Sequence, residues 1–277
     1  MVKAPGRVKG PTPYADVNAA MVMLLAEVQA VLGDQFVGLY VHGSLAGGGF
    51  DPQRSDVDFL VVTAGELPAD TLPALKAMQA RLRHSGLLWA TRMEGCFIPR
   101  PALRRYDPAH ARHPWLSDDG HLAVEQVGSD WVIQMHVLRE HGLVLAGPDP
   151  CTLIDPISPD DLRQAQRTTL QEWWRPQLED HTRLRDRHYQ SYAVLTMCRA
   201  LYMLEHGAVV TKAEAARWAQ QTLDPRWARL IERALAWPRG PQVDQLQATL
   251  DLIRYTVQRG QQAPLSNGAL ASRAPES

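Results

Sequence analysis

A chain of 277 residues with 45% hydrophobic content can bury a full core, and its length fits two modest domains. Its formal net charge is −1, with no long basic run, which excludes a protein that grips nucleic-acid backbone by charge alone and favours a small, compact substrate. No segment reads as a signal peptide or approaches the ~20 apolar residues of a membrane span, and Cys96, Cys151 and Cys198 lack paired metal-ligand spacing. The expectation is a cytoplasmic monomer that uses neither disulfides nor zinc and binds neither membrane nor nucleic acid.

Residues 1–13 and 261–277 are rich in Pro, Gly, Ala and Ser without apolar periodicity and read as flexible tails. From Tyr14 to Leu32 the pattern is amphipathic and ends at Gly33, a helix, and Phe36 to Val41 is a buried strand. A glycine-rich turn, Gly43 to Gly49, leads to a second strand over Val57 to Val62; Thr71 to His84 follows as a helix and Trp89 to Ile98 as a third strand. The next helix starts at Ser129-Asp130, where the aspartate can cap it, and stops at Gly142. Gly147-Pro148-Asp149-Pro150 and Asp155-Pro156-Ile157-Ser158-Pro159 then break regular structure, and Asp160 to Tyr255 is helical. The fold class is therefore an α/β domain over residues 14–150, a mixed sheet flanked by helices, followed by an all-α helical bundle over residues 151–260.

The chemistry starts with Asp56-Val57-Asp58. Side chains alternate along a strand, so the two carboxylates share a face while Val57, Phe59 and Val61 take the other. At a rise of ~3.3 Å per residue their Cα atoms lie ~6.6 Å apart, close enough to share hard cations. Unpaired, they would repel and one would tend to protonate; a bound Mg²⁺ removes that conflict. Upstream, Gly43 and Ser44 follow a strand end, where backbone amides and a small hydroxyl can approach a phosphate that a larger side chain would exclude.

Together, His42-Gly43-Ser44-Leu45-Ala46-Gly47-Gly48-Gly49 and Ser55-Asp56-Val57-Asp58 resemble the nucleotidyltransferase superfamily, whose signature is Gly-Ser, a short loop, then Asp-x-Asp. The resemblance implies that Asp56 and Asp58 hold Mg²⁺ with a nucleoside triphosphate, that Gly43 and Ser44 contact its terminal phosphates, and that a third acidic residue lies on a later strand. Glu94 matches that place. A carboxylate there can complete the metal site or act as general base on the acceptor hydroxyl.

The helical half offers cations. Tyr192, Leu195, Tyr202 and Met203 lie at helical spacing around Arg199, whose guanidinium on a core-like face needs an anion, a carboxylate or a ligand phosphate. Thr211-Lys212-Ala213-Glu214 reads as a capping box, which puts Lys212 in a first helical turn, where a bound anion would relieve its opposition to the helix dipole. Val194-Leu195-Thr196-Met197-Cys198-Arg199, with Gly207, Lys212 and Ala215-Ala216-Arg217-Trp218, is similar to the C-terminal domain of aminoglycoside adenylyltransferases of the streptomycin and spectinomycin 3''/9 type. Arg139-Glu140-His141, Gly147-Pro148 and Asp155-Pro156 extend the resemblance to about Phe36 through Tyr255.

This resemblance implies transfer of AMP from ATP to an antibiotic hydroxyl with release of pyrophosphate. Asp56 and Asp58 are then metal ligands and Glu94 the catalytic base, with Ser44, Ser55, Arg199, Lys212 and Tyr255 as nucleotide contacts. Trp115 matches a tryptophan that stacks on streptomycin, and Asp130 falls at a shared acidic position. The chain departs at Tyr189-Gln190-Ser191, where the family carries an acidic residue for its cationic substrate; Asp186 is the nearest carboxylate. Three alternatives stay open: another hydroxylated metabolite as acceptor, a protein side chain, or a nucleotide-binding regulator without turnover. His110, His113 and His121 read as exposed loop residues, and Trp173-Trp174 as a helix-packing pair.

Overall fold

The computed structural model describes residues 11–117, 119–239 and 243–262. The chain divides into two compact units, one of Met1–Ile157 with Val209–Ala213 and one of Ser158–Ala208 with Glu214–Ser277. The first unit runs α1 (Ala15–Leu32), β1 (Phe36–Val41), α2 (Gly43–Ala46), β2 (Val57–Thr63), α3 (Thr71–Arg83), β3 (Met93–Pro99), α4 (Arg100–Leu103), β4 (Arg112–Leu116), β5 (Leu122–Gln126), α5 (Trp131–His141), β6 (Leu143–Ala146) and α6 (Pro150–Leu153). Its strands form one mixed sheet in the order β5-β4-β3-β2-β1-β6, in which β2 and β3 pair in parallel and the other neighbours antiparallel.

Both faces of this sheet are covered, which explains the nearly continuous apolar runs of its central strands. On one face Leu39, Val41, Val57, Phe59, Val61 and Phe97 pack with Val17, Met21, Leu24, Leu75 and Met78 of α1 and α3. On the other, Tyr40, Leu60, Val62, Cys96 and Ile98 pack with Trp131, Met135 and Leu138 of α5. That second face also carries the side chains at Asp58 and Glu94, which alternate with the first set.

Several expectations are corrected. By length and composition α1 with its following turn is apolar enough to cross a membrane, contrary to the sequence reading. Val17, Ala20, Met21, Leu24, Val28 and Leu32, spaced three and four residues apart, are instead the face it buries in the core. The glycine-rich turn opens as a single helical turn, α2, and the third strand is shorter than expected because a 3₁₀ turn occupies Leu88–Thr91. β4, β5 and β6 were not foreseen. Asp130 stands at the start of α5 but its side chain does not cap it. His113 is buried at 4% exposure on β4 rather than lying in an exposed loop. The tails fall mainly outside the described residues; within them, Thr12 is anchored, its hydroxyl donating to Asn18 Oδ1 at 2.7 Å, and Gln261 and Gln262 continue the last helix.

The second unit comprises α7 (Pro159–Thr169), α8 (Arg187–His206), most of α9 (Lys212–Thr222), α10 (Ala228–Ala236) and α11 (Leu246–Gln262). α7, α10 and α11 pack around α8, which buries Ala193, Val194, Met197, Cys198 and Leu201. The Asp186 carboxylate caps α8 by accepting from Tyr189 N at 2.8 Å, and Gly207 ends it in the left-handed conformation. Of the adjacent tryptophans only Trp174 is buried, in the π-helical turn Leu170–Trp174; Trp173 is 46% exposed beneath the Arg183 guanidinium.

Candidate active site

The parallel register of β2 and β3 sets Glu94 directly beside Asp58, with Asp56 one residue ahead of the ladder. Asp56, Asp58 and Glu94, all half-buried, each offer a carboxylate oxygen within 4.8 Å of the others. Three negative charges so close repel, and a hard divalent cation with oxygen ligands is the chemistry that reconciles them. The donor set therefore fits Mg²⁺.

Gly43 belongs to the same constellation. Its φ is +62°, and a Cβ there would collide with the Asp58 carboxylate, so only glycine lets the loop lie against the acid. Next to it, the Ser44 hydroxyl is buried with no hydrogen-bond partner among the described residues. A buried hydroxyl in that state carries a desolvation cost that a ligand oxygen can relieve, as a phosphate would. Ser55 precedes Asp56 and closes the intervening loop, its hydroxyl accepting from Asp51 N at 3.0 Å.

Behind the loop lies a residue the sequence reading passed over. His42, 5% exposed, has its pKa pulled down from 6.5 to about 4, chiefly by burial, with hydrogen bonds involving Phe59 and Gln134 and the charge of Asp56 opposing the shift. Its neutral ring stands edge-on to Trp131 at 6.0 Å, and Trp131 stands edge-on to Trp115 at 6.3 Å. Trp115 pairs across from Cys96, two positions along β3 from Glu94, so it is half-buried on the carboxylate face. The only signal for His42 was its place before Gly43-Ser44, and nothing local announced its burial.

The remaining candidates are placed as follows. Asp130 keeps an exposed surface at the start of α5, yet its crowded surroundings raise its carboxyl above the usual range. Thr211 lies 3.4 Å from where a Gly49 Cβ would stand, so the segment that begins α9 with Lys212 packs on the glycine-rich turn. The structure thus brings Gly43, Ser44, Ser55, Asp56, Asp58, Glu94 and Trp115 onto one part of the first unit. Arg199, half-buried on α8, Tyr255 on α11 with its ring 5.9 Å from that of Trp227, and the capping Asp186 belong to the second. Where the resemblance expects an acidic residue, Tyr189 stacks with Trp174 and Tyr192 at centroid distances of 6.3 and 5.5 Å.

Known proteins resemble the chain over most of its length. Residues 152–262 match the family model described as aminoglycoside adenylyltransferase, C-terminal domain. Over that stretch the chain resembles this domain. It is 26% identical over 256 residues to the aminoglycoside (3'') (9) adenylyltransferase of Escherichia coli, covering 88% of this chain and 93% of that protein. To the spectinomycin 9-adenylyltransferase of Staphylococcus aureus it is 25% identical over 247 residues, covering 85% of this chain and 90% of the relative. A solved structure, spectinomycin adenyltransferase AAD(9) from Enterococcus faecialis with ATP and spectinomycin, superposes with a TM-score of 0.70 at 18% identity, covering 88% of this chain and 98% of the other. That likeness shows the fold, an α/β sheet domain with a helical C-terminal part.

Proposed function

We propose that this protein transfers AMP from ATP to a hydroxyl of an aminoglycoside of the spectinomycin or streptomycin kind, releasing pyrophosphate. The observation that carries the reading is the convergence of Asp56, Asp58 and Glu94 beside Gly43 and the orphan Ser44 hydroxyl, in a chain whose full-length relatives are named as adenylyltransferases. In this reading the functional domains are residues 14–150 and 151–260, and the protein works as a cytoplasmic monomer.

Each residue then has a task. Asp56 and Asp58 hold Mg²⁺, which supplies neutralisation of triphosphate charge and Lewis-acid polarisation of the reacting phosphoryl group. Gly43, Ser44 and Ser55 orient the phosphates, so that the acceptor oxygen and the leaving pyrophosphate lie in line. Glu94 takes the proton of the acceptor hydroxyl as that oxygen attacks the α-phosphorus and the bond to pyrophosphate breaks. Arg199 and Lys212 balance the charge that accumulates on the departing pyrophosphate, and Tyr255 contacts the nucleotide. Trp115, Asp130 and Asp186 contact the acceptor.

The test incubates the protein with ATP, Mg²⁺ and a panel of aminoglycosides that includes spectinomycin and streptomycin, following pyrophosphate release and the mass of each drug. Adenylylated drug is expected, and chelating the metal should stop its formation. The Asp56→Asn/Asp58→Asn double variant should lose about a thousand-fold or more in turnover, the worth of the several kcal/mol of charge stabilisation at stake. Turnover at the parent rate in that variant would sink the mechanism, and ATP binding without modification of any drug would transfer the reading to another acceptor.

A further inference from the structure

Among the three clustered carboxylates Asp56 is the one outside the strands, because the register of β2 on β3 begins at Val57 and Met93. The peptide units on either side of it both bond to Arg92, one through the guanidinium and one through the backbone. The Arg92 Nη2 donates to Ser55 O at 2.5 Å, which is the peptide unit entering Asp56. The Arg92 carbonyl accepts from Val57 N at 2.9 Å, the opening bond of the β2–β3 ladder at the peptide unit leaving Asp56, and one that belongs to the backbone whatever the side chain at 92. A third bond, from Arg92 Nη1 to Pro52 O at 2.9 Å, fastens the loop that carries Asp51 to Ser55.

The guanidinium itself lies over an aromatic ring. Its Cζ lies 4.6 Å from the ring centroid of Trp89, a side chain only 5% exposed and therefore a fixed plate. Arg92 stands two residues before Glu94 in the chain, so whatever fixes Arg92 to the loop also fixes Asp56 relative to Glu94. Two donors in a rigid plane can meet two carbonyls at once, which a lysine ammonium on a flexible stem does less well.

We propose that Arg92 is a positioning residue for the transfer reaction, its guanidinium tying the peptide unit that enters Asp56 and the preceding loop at Pro52 to the start of β3, so that the Asp56 carboxylate stays registered with Glu94 and Asp58. The proposal rests on the reading of those three acids as a metal-dependent catalytic group. Arg92 touches neither the nucleotide nor the acceptor in this scheme; it acts through the geometry of Asp56.

The experiment compares full-length Arg92→Met, which keeps an apolar stem over Trp89, Arg92→Lys and Arg92→Ala, with Arg54→Met in the same loop as a control. Mn²⁺ is titrated without acceptor and free ion is followed by electron paramagnetic resonance; steady-state rates and thermal midpoints are measured in parallel. Arg92→Met is expected to weaken Mn²⁺ binding and lower kcat by about ten-fold or more, as loss of an outer-sphere support typically does, while KM for the acceptor stays within about two-fold. Arg92→Lys should recover part of the loss, added ethylguanidinium should restore part of the Mn²⁺ affinity of Arg92→Ala, and Arg54→Met should match the parent. Mn²⁺ affinity and kcat of Arg92→Met within two-fold of the parent, or losses that merely follow the thermal midpoint across all variants, would overturn the proposal, as would a parent that binds no Mn²⁺ at all. A parent that binds Mn²⁺ but transfers no AMP defeats the proposed activity alone, because the Mn²⁺ titration still decides the role of Arg92.

Discussion

Residue by residue, the site is a set of local rules strained to serve one place. Gly43 is required by a close approach, Ser44 leaves a hydroxyl buried and unpaired among the described residues, and His42 is held neutral behind them. The His42 shift has a consequence for stability. Its folded pKa lies below the unfolded value near 6.5, so between about 4 and 6.5 the unfolded chain binds more protons, and stability rises with pH. The contribution is fully present above 6.5 and lost as pH falls toward 4. Chemical denaturation of the parent should show about 2 kcal/mol of loss between pH 7 and pH 5 from this group, by the difference between its two titration curves. His42→Phe should lack that component; an identical pH slope in the two proteins would show that His42 titrates normally. The aspartates were legible in the sequence, because residue type and strand alternation are local properties, and Glu94 only as the place where the nucleotidyltransferase resemblance expects a third acid. His42 and Arg92 were not, because a histidine before a turn and an arginine before a strand acquire their roles only from distant partners, Gln134 and Trp131 for one and the 52–55 carbonyls for the other.

At the scale of elements, the central strands and long helices follow from apolar periodicity, and their boundaries fall within a few residues of the sequence reading. The short strands do not. β4 contains Pro114, which has no amide to donate, and it pairs with β3 only through Trp115 and Leu116. β5 and β6 are sheet edges with few buried side chains, so little alternation marks them. The parallel pairing of β2 and β3 instead depends on a bare backbone position. A Cβ at Gly95 would meet the Phe59 ring at 2.6 Å, and Phe59 is fully buried against the core. Gly95→Ala should therefore destabilise the protein by about 1–3 kcal/mol, the usual cost of overpacking, and disturb Glu94 beside it. Denaturant unfolding checks the first, kcat the second. A fully stable Gly95→Ala variant would mean that the Phe59 ring has room to shift.

For the whole molecule, charge sets what it can engage. With a formal net charge of −1 and 29 basic against 30 acidic residues, there is no excess of cations to release counterions from a polyanion. Fluorescence anisotropy with duplex and single-stranded oligonucleotides at about 150 mM salt should show no binding tighter than about 100 µM, the weak end of non-specific nucleic-acid affinity. Binding in the low micromolar range would return a nucleic-acid acceptor to consideration. The apolar first helix teaches the same lesson about composition: long enough for a membrane by count, it is a core helix by the face it buries.

By itself the sequence pointed to the class of chemistry through a resemblance, because Gly43-Ser44 and Asp56-x-Asp58 keep the spacing of the nucleotidyltransferase signature in nearby residues. It also announced the helical second half, because helical periodicity and breaking prolines are written in consecutive residues. Only the tertiary structure decided that Glu94 completes the cluster, since that depends on the parallel register of two strands joined by a helix. Only it revealed the Arg92 guanidinium on the carbonyls of Pro52 and Ser55 ahead of Asp56 and His42 stripped of water, because burial and long-range hydrogen bonds are properties of the packed chain and leave no periodic trace in its order.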